Sequence, residues 1–295
     1  MSLGQAASVP QTQFDRGSGS KGVHGILVTE SYLNLHFSPD TGASKAEHLG
    51  YLFGDFSDRD QLASSPDRVI EMMDEIGIRR AQVNVPSMED LATFRPTLEK
   101  NPTRFAVSLR VDPHRGRPLL KEIESVQRDL RSLLTSVSMV PFTYQPRTPP
   151  NHARYYSLYT KCADLGLPVN INVGIPGPRQ PGEVQNPIYL DEVCYDFPDL
   201  TIVMRHGGDP WADVCAKLLL KWPNLYYCTD AWAPSHYRPE ILDFANRRNP
   251  NKVMYGGYFP ALSYERLFSE LEQLPLRDHV WEPFLSGNAT RVYGL

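Results

Sequence analysis

Three observations in the 295-residue sequence predict an α/β chain closed into a (β/α)8 TIM barrel. Eight short apolar runs recur along it, amphipathic stretches lie between them, and no Gly-rich dinucleotide fingerprint follows the first run. The last point sets the reading apart from an open doubly wound sheet. With 41% apolar residues the chain can bury a large core, which one barrel uses along nearly its whole length.

The elements follow in order. Residues 1–22 are rich in Gly, Ser and Gln without periodicity and read as a disordered tail, so a single domain is expected over residues 23–295. The first strand is expected from Ile26 to Leu35. The first helix is expected from Pro66 to Ile76, where Ser65-Pro66-Asp67 supplies a cap, a first-turn proline and an early acid, and Gly77 ends it. Strands are then expected at Ala81–Val85, Phe105–Leu109, Val137–Val140, Val169–Val173, Thr201–Met204, Leu225–Cys228 and Val253–Tyr255. Helices are expected at Leu119–Leu134, Tyr155–Leu165, Pro210–Lys221, Arg238–Arg247 and from Ser263 onward. Three long loops follow strands: Phe37–Ser64, Thr143–His152 and Ile175–Pro187. In a barrel these loops lie on the face where active sites are built, and their prolines lower the cost of ordering them.

A net charge of −4 gives no basic field, so neither nucleic acid nor an anionic membrane surface is an expected partner. A small-molecule substrate and a second copy of the chain remain. Cys162, Cys194, Cys215 and Cys228 are far apart and form no Cys-x-x-Cys pair, which points to buried reduced thiols rather than a zinc ribbon. No run is apolar enough to span a membrane and the first twenty residues lack a signal-peptide centre; a cytoplasmic location is expected.

Polar residues gather at the expected strand ends: Asn34 and His36, Asn84, Arg110 and Asp112, Asn172, then Arg205, His206 and Asp209, then Asp230, and finally Tyr258. A barrel brings such positions together. His24, His48, His114, His152, His236 and His279 read instead as surface or loop residues.

The run Pro198–Gly208, which ends in Arg205-His206-Gly207-Gly208, the run Lys252–Pro260, and the closing Asn288-Ala289-Thr290-Arg291 together resemble the amidohydrolase superfamily, in its amidohydrolase 2 branch of decarboxylases and lactonases. The resemblance implies a divalent ion held by His-x-His after strand 1, histidines on strands 5 and 6, and an aspartate on strand 8. Asn34-Leu35-His36 looks like the first motif with its leading histidine replaced, with Glu30 offered by the alternative placement Val28–Ser31. Asn172 stands at the strand 5 position, His206 matches strand 6, and Tyr258 stands where the aspartate is expected. Amides are weak zinc ligands and the carboxylate is missing, so a site without metal or other cofactor is expected; ligation by a Tyr258 phenolate is the alternative.

The expected activity is hydrolysis of a lactone, ester or amide in a small carboxylated or phenolic cyclic compound by histidine acid/base chemistry. His206, His36, Tyr258 and Asp230 are the expected catalytic groups. Asn34, Asn172, Arg205, Arg110, Asp209, Arg179, Trp232 and Phe142 are the expected substrate contacts, the arginines for a carboxylate or phenolate and the amides for a developing oxyanion. A metal-dependent or metal-free decarboxylase, lyase or cyclase is the runner-up, and a barrel that only binds a ligand is the reading from another class. The family resemblance also implies a homo-oligomer.

Overall fold

The computed structural model describes residues 32–33, 50–63 and 65–295. Seven parallel strands run in sequence order: β2 (Ala81–Val85), β3 (Phe105–Arg110), β4 (Leu134–Met139), β5 (Val169–Asn172), β6 (Ile202–Arg205), β7 (Leu225–Cys228) and β8 (Val253–Met254). The eighth expected run continues as β9 (Gly256–Gly257), which pairs in parallel with β1 (Tyr32–Leu33), Tyr32 opposite Gly256 and Leu33 opposite Gly257. Since β1 also lies against β2, the strands close into the eight-membered ring that the sequence predicts. The 1–22 tail and most of the first strand lie outside the described residues.

Parallel strands buried on both faces appear in sequence as continuous apolar runs, and that is why the strand expectations hold to within a few residues. The exception is β4, which begins at Leu134 rather than Val137. The preceding helix covers Arg117–Asp129, not Leu119–Leu134, because the chain turns at Leu130. Thr135, Ser136 and Ser138 are nearly fully buried on that strand, and their polarity hid it. Helix Met88–Lys100 was not expected; Pro96 inside it broke the pattern. The expected loop Phe37–Ser64 contains helix Ser57–Ala63.

The barrel interior carries an unusual amount of polarity. The Asn170 amide donates to Ser108 Oγ at 3.0 Å and Ser136 Oγ at 3.1 Å, and reaches Gln82 Oε1 at 3.4 Å. Its oxygen accepts from the Tyr293 hydroxyl at 2.7 Å. Tyr293 belongs to the closing helix Asn288–Tyr293, whose apolar residues pack with Val203, Cys228 and Met254. Every one of these buried polar groups has a partner, as the cost of an unsatisfied one requires. All four cysteines are free and buried. No helix among the described residues is long and apolar enough to cross a membrane.

Candidate active site

At the end of β6 the chain reverses through three consecutive left-handed residues, His206 at φ 66°, Gly207 at 80° and Gly208 at 66°. The two glycines are required sterically: a Cβ on Gly207 would run into the Trp232 indole nitrogen, and one on Gly208 would lie 2.5 Å from Cys215 Sγ. His206 itself holds a conformation that costs a non-glycine residue, and its neighbours fix it there. Its backbone N–H donates to Asp230 Oδ1 at 3.0 Å, and its carbonyl accepts from Trp232 Nε1 at 3.1 Å.

Asp230, just past β7, is fully buried, and its Oδ2 accepts from both Nε (2.8 Å) and Nη2 of Arg205. His206 Nε2 lies 3.5 Å from the same oxygen. Burial alone would raise the Asp230 carboxyl, but the Arg205 guanidinium, followed by His206, outweighs that and holds it below its ordinary value. The Asn172 amide nitrogen lies 3.5 Å from His206 Nδ1. A carboxylate only accepts, so the Asp230 oxygen beside Nε2 favours the tautomer with its proton there and the lone pair on Nδ1. The imidazole keeps 26% of its side-chain surface open. Burial pushes its pKa down to about 4, the Asp230 charge opposing and Arg205 assisting.

Tyr258, after β9, packs its ring edge-on to the imidazole, centroids 5.5 Å apart at 86°. Burial pushes its phenol up to about 12, so it is a proton donor at neutral pH. Phe53 stacks obliquely behind it at 5.6 Å. Phe53 belongs to a segment that sequence reading took for loop and that reaches across the barrel mouth. The Tyr51 hydroxyl donates to Gly177 O in the strand 5 loop, while Arg59 donates to Pro260 O at 2.9 Å and Ala261 O at 3.3 Å in the strand 8 loop.

The expected residues therefore divide. Asn172, His206, Asp230, Tyr258 and Trp232 converge. Arg205 joins them from below: at 1% exposure, with its guanidinium on Asp230, it is not placed to grip a substrate, which corrects that expectation. Arg110 donates to Thr143 Oγ1 at 2.7 Å and anchors the strand 4 loop that carries Phe142, whose carbonyl accepts from Arg147 Nε at 3.2 Å. Asp209 faces Arg238 at 3.3 Å, and Arg179 lies 4.9 Å over the exposed Tyr51 ring at the rim. His114, read as a loop residue, holds Thr148 at 3.0 Å and fastens the far end of that strand 4 loop. Asn34 and His36 lie outside the described residues. Sequence reading missed Phe53, Arg59 and Arg238; the spacing of short aromatic and cationic segments gave no signal for them.

A histidine and a carboxylate thus meet at the strand ends of a parallel barrel. The amidohydrolase family model matches residues 35–295, and the chain belongs to that family. No curated protein matches the sequence. Among solved structures, an uncharacterized TIM-barrel protein of Bordetella bronchiseptica superposes with TM-score 0.74 at 21% identity, covering 90% of this chain and 98% of that one. A dihydroxybenzoic acid decarboxylase of a Polaromonas species, with bound manganese and the inhibitor 2-nitroresorcinol, gives 0.65 at 16%, covering 90% and 97%. A probable 2-pyrone-4,6-dicarboxylic acid hydrolase of Acinetobacter baumannii, with citric acid bound, gives 0.62 at 14%, covering 90% and 100%.

A divalent ion fits the described residues poorly. Among them no three His, Cys, Asp or Glu side chains group as ligands. The converging donors are one imidazole, one amide, a protonated phenol, and a carboxylate whose oxygens already hold a guanidinium and a backbone N–H. Such a set offers little charge to a dication.

Proposed function

We propose that this amidohydrolase-family enzyme hydrolyses a lactone, ester or amide bond in a small carboxylated or phenolic cyclic compound, without a metal, in the cytoplasm. The observation that carries the reading is His206: an imidazole kept neutral, lone pair on Nδ1, backed by a buried carboxylate and edged by a protonated phenol. The free thiols agree with a reducing compartment.

In this mechanism water displaces the long Asn172 contact at His206 Nδ1, which takes a proton from the water as the water oxygen bonds to the substrate carbonyl carbon. Negative charge moves to the carbonyl oxygen, where the Asn172 N–H and the Tyr258 O–H donate to it. Collapse breaks the bond to the leaving oxygen or nitrogen, and the His206 imidazolium returns its proton there. Asp230 holds the Nε2 proton and stabilises the imidazolium, itself staying ionised.

Decarboxylation is the second reading, favoured by the aromatic wall of Phe53, Tyr258 and Trp232 and by the likeness to the Polaromonas decarboxylase. One experiment separates the two. Purified chelator-treated protein is incubated with pyrone carboxylates and with dihydroxybenzoates, and products are followed by NMR and carbon dioxide release. Ring opening that is abolished in His206→Ala supports hydrolysis. Carbon dioxide release moves the assignment to the second reading, and ring opening that His206→Ala retains sinks the proposed site.

A further inference from the structure

We infer that Arg205 is the resident cation of this barrel: its buried guanidinium occupies the electrostatic place of a divalent ion and closes the site to one. The inference rests on the reading of the site as metal-free, but it concerns the cause, and its test reads ion affinity rather than turnover.

Arg205 is the register partner of Asn172 across β5 and β6, and Asp230 and His206 both touch its immediate surroundings. Its side chain is 1% exposed and Asp230 is fully buried, so salt in solution screens both charges only weakly. Arg205 contributes one positive charge and Asp230 one negative, and the remaining converging groups are neutral at pH 7: Asn172, the His206 imidazole and the Tyr258 phenol. Among the described residues the charges are thus already balanced. A dication entering beside it would add two positive charges next to a fixed third, with the one carboxylate converging among the described residues already held through three N–H bonds. Repulsion between a unit and a double charge a few ångströms apart in a buried site outweighs what an imidazole and an amide donate.

Losing ligands at 172 and 258 is therefore only part of why the site would refuse metal. Restoring them should not suffice while the guanidinium stays. The arrangement also explains why an arginine stands at the strand end with no surface to offer a substrate: its work is on Asp230, and through Asp230 on the His206 ring.

The test uses the full chain and manganese chloride in titration calorimetry. The double variant Asn172→His with Tyr258→Asp supplies an imidazole and a carboxylate, and is expected to bind no stoichiometric ion at micromolar concentration. Adding Arg205→Met is expected to tighten manganese binding by about 100-fold or more, because the fixed charge is gone and Asp230 is released. Adding Arg205→Lys instead retains the cation and is expected to leave binding as weak as in the double variant, which separates charge from packing. Stoichiometric binding by the double variant, or equal affinity in the Met and Lys triples, overturns the inference. If the Met triple is unfolded without ion, melting is followed as manganese is added. A rise in melting temperature above that of the Lys triple then supports the inference, and its absence overturns it.

Discussion

At the residue scale, one consequence follows from the depressed His206 pKa. The base is deprotonated above about pH 4 rather than 6.5, so kcat/KM should rise through an acid limb near pH 4 and stay flat across neutrality. An acid limb at 6.5 would remove the buried neutral imidazole from the mechanism. The linked stability has a definite sign. The folded pKa lies below the unfolded one, so the unfolded chain binds more protons between about pH 6.5 and 4, and stability falls as pH drops through that window. With a quarter of the side chain exposed, the loss is on the order of 2 kcal/mol. Asp230→Asn acts differently, leaving a buried guanidinium opposite a neutral amide. A loss of about 3–5 kcal/mol in urea denaturation is expected, far beyond a surface change. A loss under 1 kcal/mol would mean that Arg205 finds another counter-charge.

At the scale of elements, what the sequence disclosed and what it hid have separate physical causes. Strands β5, β6 and β7 were legible because both faces are buried, and the strand-end residues Asn172, His206, Asp230 and Tyr258 were legible because each apolar run stops at them. Pairing is not visible in a run: nothing in Met204-Arg205-His206 told that Arg205 would turn to Asp230 at the end of the neighbouring strand rather than to a substrate. Short segments were hidden too. Helix Ser57–Ala63 has seven residues, too few for a period to stand out, and lies in a stretch that reads as loop. Yet its Arg59 bonds and the buried Phe56 tie the mouth-crossing segment to Pro260 and Ala261, and so bring Phe53 to Tyr258. Arg59→Ala should therefore leave global stability within about 1 kcal/mol while making residues 50–56 a fast site of limited proteolysis. Phe53→Ala should raise KM for an aromatic substrate more than it lowers kcat, since it removes wall and no reacting group. Unchanged proteolysis in the first variant would show that Tyr51 and Phe56 hold the segment without Arg59.

At the scale of the whole molecule, the end of the barrel opposite the catalytic residues governs them through one strand. The closing helix sends Asn288 under the barrel, fully buried, where its amide donates to Pro250 O at 2.8 Å and Val253 O at 2.7 Å. Arg291 adds a bond to Asn251 O at 2.7 Å and one to Asn288 Oδ1 at 2.6 Å. These contacts fix the start of β8, and β8 with β9 carries the chain straight to Tyr258. The Asn-Ala-Thr-Arg ending that suggested a family in the sequence thus has a mechanical role, as a lock on the strand that delivers the phenol. Asn288→Ala removes two donors and strands one buried and one partly buried carbonyl, an expected cost of about 2–3 kcal/mol. Asn288→Asp has nearly the same shape but puts a carboxylate oxygen against carbonyl oxygens, so it should cost more than alanine does and recover in part as pH is lowered and the acid becomes a donor. Urea denaturation of both variants at pH 8 and pH 5 checks the ordering. Equal losses, or a more stable aspartate at pH 8, would show that the position needs volume alone and that the amide does not lock the strand.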